Sequence, residues 1–168
     1  MDIPLSLQEV REIANIDFRF IPATQLIHYN IDNLFDINNV CLINYLESDH
    51  MGHWVCLIRN KNNIYYFNPF GFEISAMLYL PPYNQMKGQE LPYLRHILGH
   101  SKYRIYYNDY HIQDLDSNLC GRYVGLYIRM SQLDKKYLQF STFKKNKWVK
   151  DPNKLIWITN AILFNDTI

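Results

Sequence analysis

The chain has 168 residues, with 17 Lys and Arg against 16 Asp and Glu, so its formal net charge is only +1. This length suits one domain, and 48% hydrophobic residues suffice for a core, which excludes a largely disordered chain. A charge near zero excludes a global field that attracts nucleic acid or an anionic membrane. Three cysteines are too few for a disulfide-stapled secreted scaffold. We therefore expect a single domain over residues 1–168 in a reducing compartment.

The start of the chain and its apolar runs indicate a soluble protein. Asp2 stands where a secretory signal would carry basic residues. The longest apolar run, 76–80, falls far short of the roughly 18 residues that a membrane span needs. Asn, Ile, Lys and Tyr, whose codons are AT-rich, are abundant; this fits a viral or parasitic genome, and drift in any AT-rich genome explains it equally.

The first half of the chain predicts one helix followed by strands. Ser6 and Glu9 have capping-box spacing, which predicts a helix through Ile13, and 24–29 is a second short helix or a turn. Alternating or β-branched apolar residues then predict strands over 40–46, 53–59 and 64–67. The polar residues 60–63 between the last two predict a hairpin, and Asn68-Pro69-Phe70-Gly71 ends its second strand.

The middle of the chain reads as a loop, one helix and two more strand segments. Pro and Gly mark 81–88 as a loop, and 89–98 is a candidate helix despite Pro92. Two further strand segments and a polar turn are predicted at 103–107, 110–113 and 114–118.

Two helices are predicted in the last third. The stretch 119–130 is apolar almost all round, which is typical of a helix buried in the middle of a domain. Arg122 and Arg129 share its one polar edge, and Gly125 would allow close packing against a sheet. Asp151-Pro152 has the N-cap and N1 residues of a last helix that runs to about Phe164. Together, the predicted helices and strands indicate an α+β fold with a mixed sheet.

The three cysteines differ in their surroundings. Cys41 and Cys56 lie within apolar strands and are expected to be core residues. Cys120 follows the polar turn 116–118 and opens the buried helix. There, unpaired N–H groups and the positive end of the helix dipole would lower the pKa of its thiol and favour the thiolate. Gly121 beside it would leave the entrance open to a substrate backbone. Cys120 is therefore the candidate nucleophile.

A nucleophilic thiol needs a base and a group that orients the base. His53 begins a predicted strand, and Asn68 follows the strand that pairs with it. In a hairpin that turns at 60–63, the two residues fall close to opposite one another, and a one-residue bulge would make the match direct. An Asn amide oxygen can accept the imidazole N–H and set its tautomer. The alternative is that Asn68 only begins a turn and His53 is a turn residue.

Gln113, upstream of Cys120, completes an ordered set of polar residues. Its amide could donate to a developing oxyanion together with the backbone N–H of Cys120. A single Gln has little weight alone. The weight comes from the order of four short motifs, which are His53-Trp54, Asn68-Pro69-Phe70-Gly71, Gln113 and Cys120-Gly121.

This ordered set resembles the adenovirus-type (adenain-like) cysteine proteases, especially those of virophages such as mavirus and of Maverick/Polinton elements. It is distantly similar to SUMO- and ubiquitin-like-protein-specific proteases. The resemblance spans about residues 40 to 130. It implies a permuted papain-like fold of the α+β class, with a mixed central sheet packed by a buried central helix and flanking helices. It also implies that Trp54 helps to form a narrow substrate slot for small residues such as Gly; a core aromatic on a strand fits Trp54 equally well.

The function that the resemblance implies is a viral maturation endopeptidase. It would cleave capsid or other virion precursors after Gly or other small residues, through thiolate attack and an acyl-enzyme, without cofactor or metal. The expected setting is the virion and the reducing cytoplasm or viral factory of an infected cell, with a monomeric enzyme. One alternative is a deubiquitinase or SUMO-type protease acting on host conjugates. Another is a non-catalytic binding module that has kept the fold.

Two departures from the family pattern bear on this reading. Many relatives carry Glu or Asp where this chain has Asn68, and an amide cannot stabilise an imidazolium by charge. Glu47 and Asp49 are nearby acids that could take the orienting role instead. Adenovirus enzymes bind a disulfide-linked activating peptide, but this chain has no cysteine between Tyr93 and Gln113 to hold one.

DNA assists the adenovirus relatives, and one basic cluster here could contact it. Lys144, Lys145, Lys147 and Lys150 surround Trp148, which could stack on a base. A solvated loop before the last helix explains the cluster equally simply.

Overall fold

The computed structural model describes residues 4–49, 51–113 and 117–164. Its centre is a five-stranded mixed sheet in the order β1-β2-β3-β4-β5. The outer pairs, β1/β2 and β4/β5, are parallel, and the inner pairs are antiparallel. The strands are β1 (Arg19–Pro22), β2 (Val40–Leu46), β3 (Gly52–Asn60), β4 (Asn63–Phe67) and β5 (Arg104–Tyr107). The predicted α+β class is confirmed. Asp2 and part of the predicted turn 114–118 lie outside the described residues.

Helices cover both faces of this sheet. Among the described residues, none of the helices has the length and apolar character needed to cross a membrane. The α-helices are α1 (Leu7–Ala14), α2 (Ile31–Leu34), α3 (Tyr93–Gly99), α4 (Cys120–Leu133), α5 (Phe140–Lys144), α6 (Lys147–Lys150) and α7 (Pro152–Leu163). The 3₁₀ helices are Ala23–His28, Ala76–Tyr79, Tyr83–Gln85 and Lys135–Leu138.

Side-chain alternation along the strands divides the core into two clusters. Trp54, Cys56 and Phe67 belong to the cluster that includes α1, α4 and α7. Cys41, Val55 and Tyr66 belong to the cluster on the opposite face, which includes α3. Successive residues of a strand point to opposite faces, and this explains the division. Cys41 and Cys56 are both fully buried free thiols, so the prediction that they are core residues is confirmed.

Local capping signals place the ends of two helices as predicted. The Glu9 N–H donates to Ser6 Oγ at 3.2 Å and the Ser6 N–H donates to Glu9 Oε1 at 3.0 Å, which is a complete capping box before α1. Asp151 accepts from the Asn153 N–H at 2.9 Å, with Pro152 in the first turn of α7.

The structure corrects one prediction about α4 and extends another, because Gly125 and Arg122 both face helices. An added Cβ on Gly125 would lie 2.8 Å from Ile13 Cγ2 of α1, so this glycine permits contact with a helix rather than with the sheet. Arg122 is buried and donates to Thr159 Oγ1 at 2.7 Å and Asn160 Oδ1 at 2.8 Å on α7. The predicted polar edge at Arg122 therefore lies inside a helix–helix contact.

The predicted strand at 110–113 is also wrong. The segment after β5 is irregular, because the backbone N–H groups of Ile112 and Gln113 both donate to one carbonyl, Pro69 O, at 3.0 and 3.1 Å. Two donors that converge on a single acceptor cannot form the evenly spaced ladder of a strand. This packing ties the segment to the turn that follows β4.

Candidate active site

Cys120 is the first residue of α4, and its thiol meets the start of β3. The backbone N–H of Trp54 donates to Cys120 Sγ at 3.5 Å, across a sequence separation of 66 residues. Only 6% of Cys120 is exposed. The predicted nucleophile therefore lies at the edge of the sheet where β3 begins, next to the candidate base.

The expected low pKa of this thiol is wrong. Burial raises the pKa of Cys120 to about 11, and this outweighs hydrogen bonds to the thiol from the backbone of Trp54, Gly121 and Cys120 and from the side chain of Gln113, which lower it. A helix N-terminus lowers the pKa of a cysteine thiol, but burial in apolar surroundings raises it, and here burial has the larger effect. At neutral pH the resting group is thus the thiol.

His53 and Asn68 form a buried pair on one face of the sheet. His53 Nε2 and Asn68 Oδ1 are 2.7 Å apart, and the two residues are 2% and 0% exposed. The hairpin has no bulge that would make the match direct, because its strands pair regularly from Asn60 with Asn63 to Cys56 with Phe67. Continued beyond Phe67, this register makes Asn68 a diagonal neighbour of His53 on the same face, within side-chain reach.

The hydrogen bonds of Asn68 determine the tautomer of His53. Asn68 Oδ1 also accepts from the Phe70 N–H at 3.0 Å, and a backbone N–H can only donate. The atom facing His53 is therefore the amide oxygen, so His53 Nε2 must carry the proton. The neutral ring then has its lone pair on Nδ1, the nitrogen that a general base needs.

The imidazole is enclosed by aromatic rings. Phe70 stacks on His53 with 3.6 Å between ring centroids and 5° between planes, and Tyr83 approaches edge-on at 6.4 Å. Burial lowers the pKa of His53 to about 3, although the hydrogen bond to Asn68 opposes this. His53 is thus neutral, and able to accept a proton, at any pH near neutrality.

This depressed pKa predicts a specific acid sensitivity. Below its ordinary pKa of 6.5, the unfolded histidine binds a proton that the folded one takes up only near pH 3. The free energy of unfolding should therefore fall as the pH drops through this window, by up to about 1.4 kcal/mol per pH unit from His53 alone. Urea unfolding of the wild type and of His53→Gln between pH 6.5 and 4 should show a shallower slope for the variant. Parallel slopes would contradict a buried neutral His53.

Of the three side chains considered for orienting His53, Asn68 makes the hydrogen bond. Asp49 is exposed. Glu47 is half-buried, and its charge raises the pKa of Tyr83 together with burial, which places the carboxylate near that phenol. Because the amide of Asn68 is neutral, the pair lacks the carboxylate that would raise the pKa of the imidazole.

Gln113 lies beside the thiol as the sequence predicts. It is 3% exposed, and its Nε2 donates to Ser117 O at 2.9 Å. That bond identifies Nε2 as the nitrogen, and a primary amide carries a second hydrogen. The hydrogen bond of the side chain lowers the pKa of the Cys120 thiol, so the amide lies within reach of Sγ. Its role as an oxyanion donor stays a prediction.

Trp54 and Gly121 lie on the other side of the thiol. With Gly52 and Asn118, Trp54 and Cys120 line a small cavity of about 60 Å³, so Trp54 serves both as a core residue and as a wall beside the nucleophile. Gly121 is packed inside, because an added Cβ would lie 3.2 Å from Val10 Cγ2 and 3.4 Å from Trp54 Cδ1. The small size of Gly121 allows α4 to pack closely against α1. A contact of Gly121 with substrate stays a prediction.

Sequence reasoning missed two buried amides at this edge of the sheet. Gln89 accepts from the Leu46 N–H at 2.7 Å and donates to Leu46 O at 2.8 Å and Tyr83 O at 2.9 Å, which holds Tyr83 next to His53. Asn108 pairs in a similar way with the backbone of Asn68. Both contacts join residues about 40 positions apart, and no local pattern of the sequence signals them.

No metal centre is formed by the described part of the chain, 4–49, 51–113 and 117–164, since no three His, Cys, Asp or Glu side chains come together there.

The chain is similar to known proteins in sequence and in structure. No protein-family model matches the chain. It is 29% identical over 146 residues to the uncharacterized protein V9 of Sputnik virophage, covering 81% of this chain and 83% of that protein. In structure it is similar to the SUMO protease Ulp1 with its catalytic cysteine oxidized to a sulfinic acid, with a TM-score of 0.37 and 14% identity, covering 94% of this chain and 74% of that one. The chain is thus similar to a virophage protein.

Proposed function

We propose that this protein is a cysteine protease that matures virion proteins, with Cys120 as nucleophile and His53 as base. The observation that carries the proposal is the meeting of three elements at one edge of the sheet. The thiol at the start of α4 accepts from the Trp54 N–H at 3.5 Å, and the adjacent His53 is held by Asn68 at 2.7 Å. A nucleophile, a base and an orienting amide are the parts that thiol hydrolysis requires.

The neutral resting state determines the order of proton transfers. Since the pKa of Cys120 is about 11 and that of His53 about 3, the thiol proton moves to His53 Nδ1 as Sγ bonds to the substrate carbonyl carbon. The Gln113 amide and the Cys120 N–H then hold the oxyanion. The C–N bond breaks, and the leaving amine takes the proton from His53. Water, deprotonated by His53, attacks the thioester and restores the thiol.

The small cavity beside the nucleophile supports a preference for small residues before the cleaved bond. Its volume is about 60 Å³, and Trp54 forms one wall. Room for only a few water molecules suits a small residue better than an aromatic side chain. Similarity to a virophage protein supports virion precursors as the substrate class and an infected cell as the setting.

Co-expression with a capsid precursor from the same genome tests the proposal. The wild type should convert the precursor to a shorter product, and mass spectrometry should place a small residue at the new carboxyl terminus. Cys120→Ala should leave the precursor intact, because no other described thiol lies near His53. Cys41→Ala is the matched control, since it removes a fully buried thiol on the opposite face and should retain processing.

Processing that persists in Cys120→Ala would refute the proposed nucleophile. Thiol-reactive probes built on ubiquitin and on SUMO distinguish host conjugates from virion precursors as the substrate class. Labelling of Cys120 by either probe, without capsid cleavage, would favour a protease of host conjugates. Failure of iodoacetamide to alkylate Cys120 in preference to the other two cysteines at alkaline pH would favour the non-catalytic binding module.

We further propose that DNA binds in a groove lined by three lysines of the predicted basic cluster. Lys144, Lys145 and Lys150 line this groove together with Tyr110, and Lys144 Nζ lies 4.2 Å from the centre of the Tyr110 ring. Lys147 lies over Trp148 instead and is not among the groove residues. The predicted cluster is thus divided, and three of its four lysines share one concave surface.

Salt-dependent binding of a short labelled DNA duplex tests the groove. Lys144→Gln/Lys145→Gln/Lys150→Gln should weaken binding and reduce the slope of log K against log salt by about 0.9 for each lost phosphate contact. Lys135→Gln/Lys136→Gln/Lys154→Gln removes the same charge elsewhere and should keep the slope. Equal loss in both variants would indicate only a net-charge effect, and an absence of wild-type binding would reject the proposal.

A further inference from the structure

We propose that Asn108 is a positioning residue for the hydrolysis, which acts through Asn68 on His53. This inference rests on the proposed cysteine protease function and adds to it a residue that touches neither the thiol nor the imidazole. Asn108 is 1% exposed and follows β5 directly.

The side-chain amide of Asn108 makes two hydrogen bonds to the main chain of Asn68, one with its N–H and one with its C=O. The Asn68 N–H donates to Asn108 Oδ1 at 2.9 Å, and Asn108 Nδ2 donates to Asn68 O at 2.6 Å. The second hydrogen of Nδ2 goes to Tyr110 O at 3.2 Å. Both polar atoms of the amide are therefore satisfied, and reversing the amide would place like groups against each other at every contact.

This pairing replaces a backbone ladder at the point where the sheet ends. β4 and β5 are parallel, and their last paired residues are Tyr66 and Tyr107. Beyond them the chains diverge, so Asn68 has no strand partner for its N–H and C=O. A buried peptide N–H without a partner costs about 1–3 kcal/mol. The Asn108 amide accepts from the Asn68 N–H and also donates to Asn68 O, which the Gly71 N–H contacts as well.

Other contacts hold the turn after β4 against the segment that follows β5. Pro69 O accepts from the N–H groups of Ile112 and Gln113, and Gly71 lies against the backbone of 110–111. The turn that carries Asn68 therefore also anchors Gln113. Among the residues that join these two segments, Asn108 is the one whose side chain is hydrogen-bonded to the main chain of Asn68.

The consequence concerns the direction of the Asn68 side chain. Its Oδ1 must stay 2.7 Å from His53 Nε2 to keep the proton on that nitrogen and the lone pair on Nδ1. A side chain of this length is aimed by the main chain from which it starts. Without Asn108 the Asn68 backbone can turn away, and displacements of about 1 Å at a catalytic group can cost about 10²-fold in rate.

A double-mutant cycle tests the inference. The rate of Cys120 acylation by p-nitrophenyl acetate is measured for the wild type, Asn108→Ala, Asn68→Ala and the double variant, each checked for folding by circular dichroism. Asn108→Ala should slow acylation by about 10- to 100-fold. In the Asn68→Ala background it should change the rate by less than about twofold, because the residue through which it acts is already gone. The same fold-loss in both backgrounds, or no loss in the wild-type background, would overturn the inference.

Two further variants separate positioning from stability. Asn108→Asp keeps the acceptor for the Asn68 N–H but places a second oxygen against Asn68 O, so it should behave like Asn108→Ala. Asn30→Ala also deletes two side-chain bonds to backbone N–H groups, at the start of α2, and should keep the wild-type rate. A loss of rate in Asn30→Ala as large as that in Asn108→Ala would attribute the effect to stability alone.

Imidazole ¹⁵N NMR tests the inference without any turnover. The wild type should show His53 with protonated Nε2 and unprotonated Nδ1, and Asn108→Ala should show a mixture of tautomers. An unchanged single tautomer in Asn108→Ala would overturn the inference. If the wild type does not react with p-nitrophenyl acetate, the proposed function fails, but this measurement still decides whether Asn108 positions the pair.

Discussion

Replacing His53 with alanine is expected to slow acylation of Cys120 by p-nitrophenyl acetate by about 10²–10⁴-fold, the usual contribution of a general base. The physical reason is the raised pKa of the thiol, about 11, which leaves almost no thiolate at neutral pH. Without His53 Nδ1 no described group is placed to take the thiol proton. The rate constant of the p-nitrophenolate burst at pH 7.5 is the measurement.

The exposed His96 on α3 provides the matched control, and His96→Ala should react at the wild-type rate. The pH profile gives an independent check. Wild-type acylation should stay nearly constant from pH 5 to 8, because the pKa of His53 is about 3 rather than 6.5. In His53→Ala the rate should rise about tenfold per pH unit, as the thiolate population does. A wild-type rate in His53→Ala would remove His53 from the mechanism.

Replacing Gly71 with alanine is expected to destabilise the fold by about 2–5 kcal/mol and to abolish activity in the fraction that remains folded. Gly71 has φ of +79°, which costs an L residue about 1–2 kcal/mol. An added Cβ would lie 2.2 Å from the carbonyl carbon of Tyr110 and 2.4 Å from the His111 nitrogen, so backbone must move, at a further cost of about 1–3 kcal/mol.

This movement should reach the catalytic residues directly. The Gly71 N–H donates to Asn68 O at 2.8 Å, and the displaced segment carries Gln113. Urea unfolding at pH 7.5 measures the loss of stability. Gly99→Ala is the control, because nothing lies within 4 Å of its added Cβ, and it should keep both stability and activity. A loss of less than about 1 kcal/mol in Gly71→Ala would mean that 110–111 can yield without strain.

Elements with local signals could be predicted from the sequence. The capping box at Ser6 and the Asp151-Pro152 pair place the starts of α1 and α7, because a cap is a contact within one turn. The β2 strand was predicted with the observed bounds, and the hairpin differs by single residues at its ends. The strand at 110–113 failed because its hydrogen-bond donors are taken by a distant carbonyl, Pro69 O, which periodicity along the chain cannot show.

For the candidate site, too, the sequence predicts some features and not others. Motif order alone brought out His53, Asn68, Gln113 and Cys120. In the structure His53 is hydrogen-bonded to Asn68, and the Gln113 side chain and the Trp54 N–H reach the Cys120 thiol. The protonation states could not be predicted. A helix N-terminus favours a thiolate in water, but the depth at which Cys120 and His53 are buried is set by the packing of α4 against β3, and burial reverses the sign of the shift.

By itself the sequence determined which residues could do chemistry, since residue type and spacing along the chain carry that information. Only the tertiary structure decided that Asn68 rather than Glu47 or Asp49 holds His53, and that His53 and Cys120 rest as a neutral pair. It also revealed Asn108, whose bonds to Asn68 span 40 residues. The reason is that hydrogen-bond partners and burial depend on distances in space, which a chain acquires only when its distant segments pack.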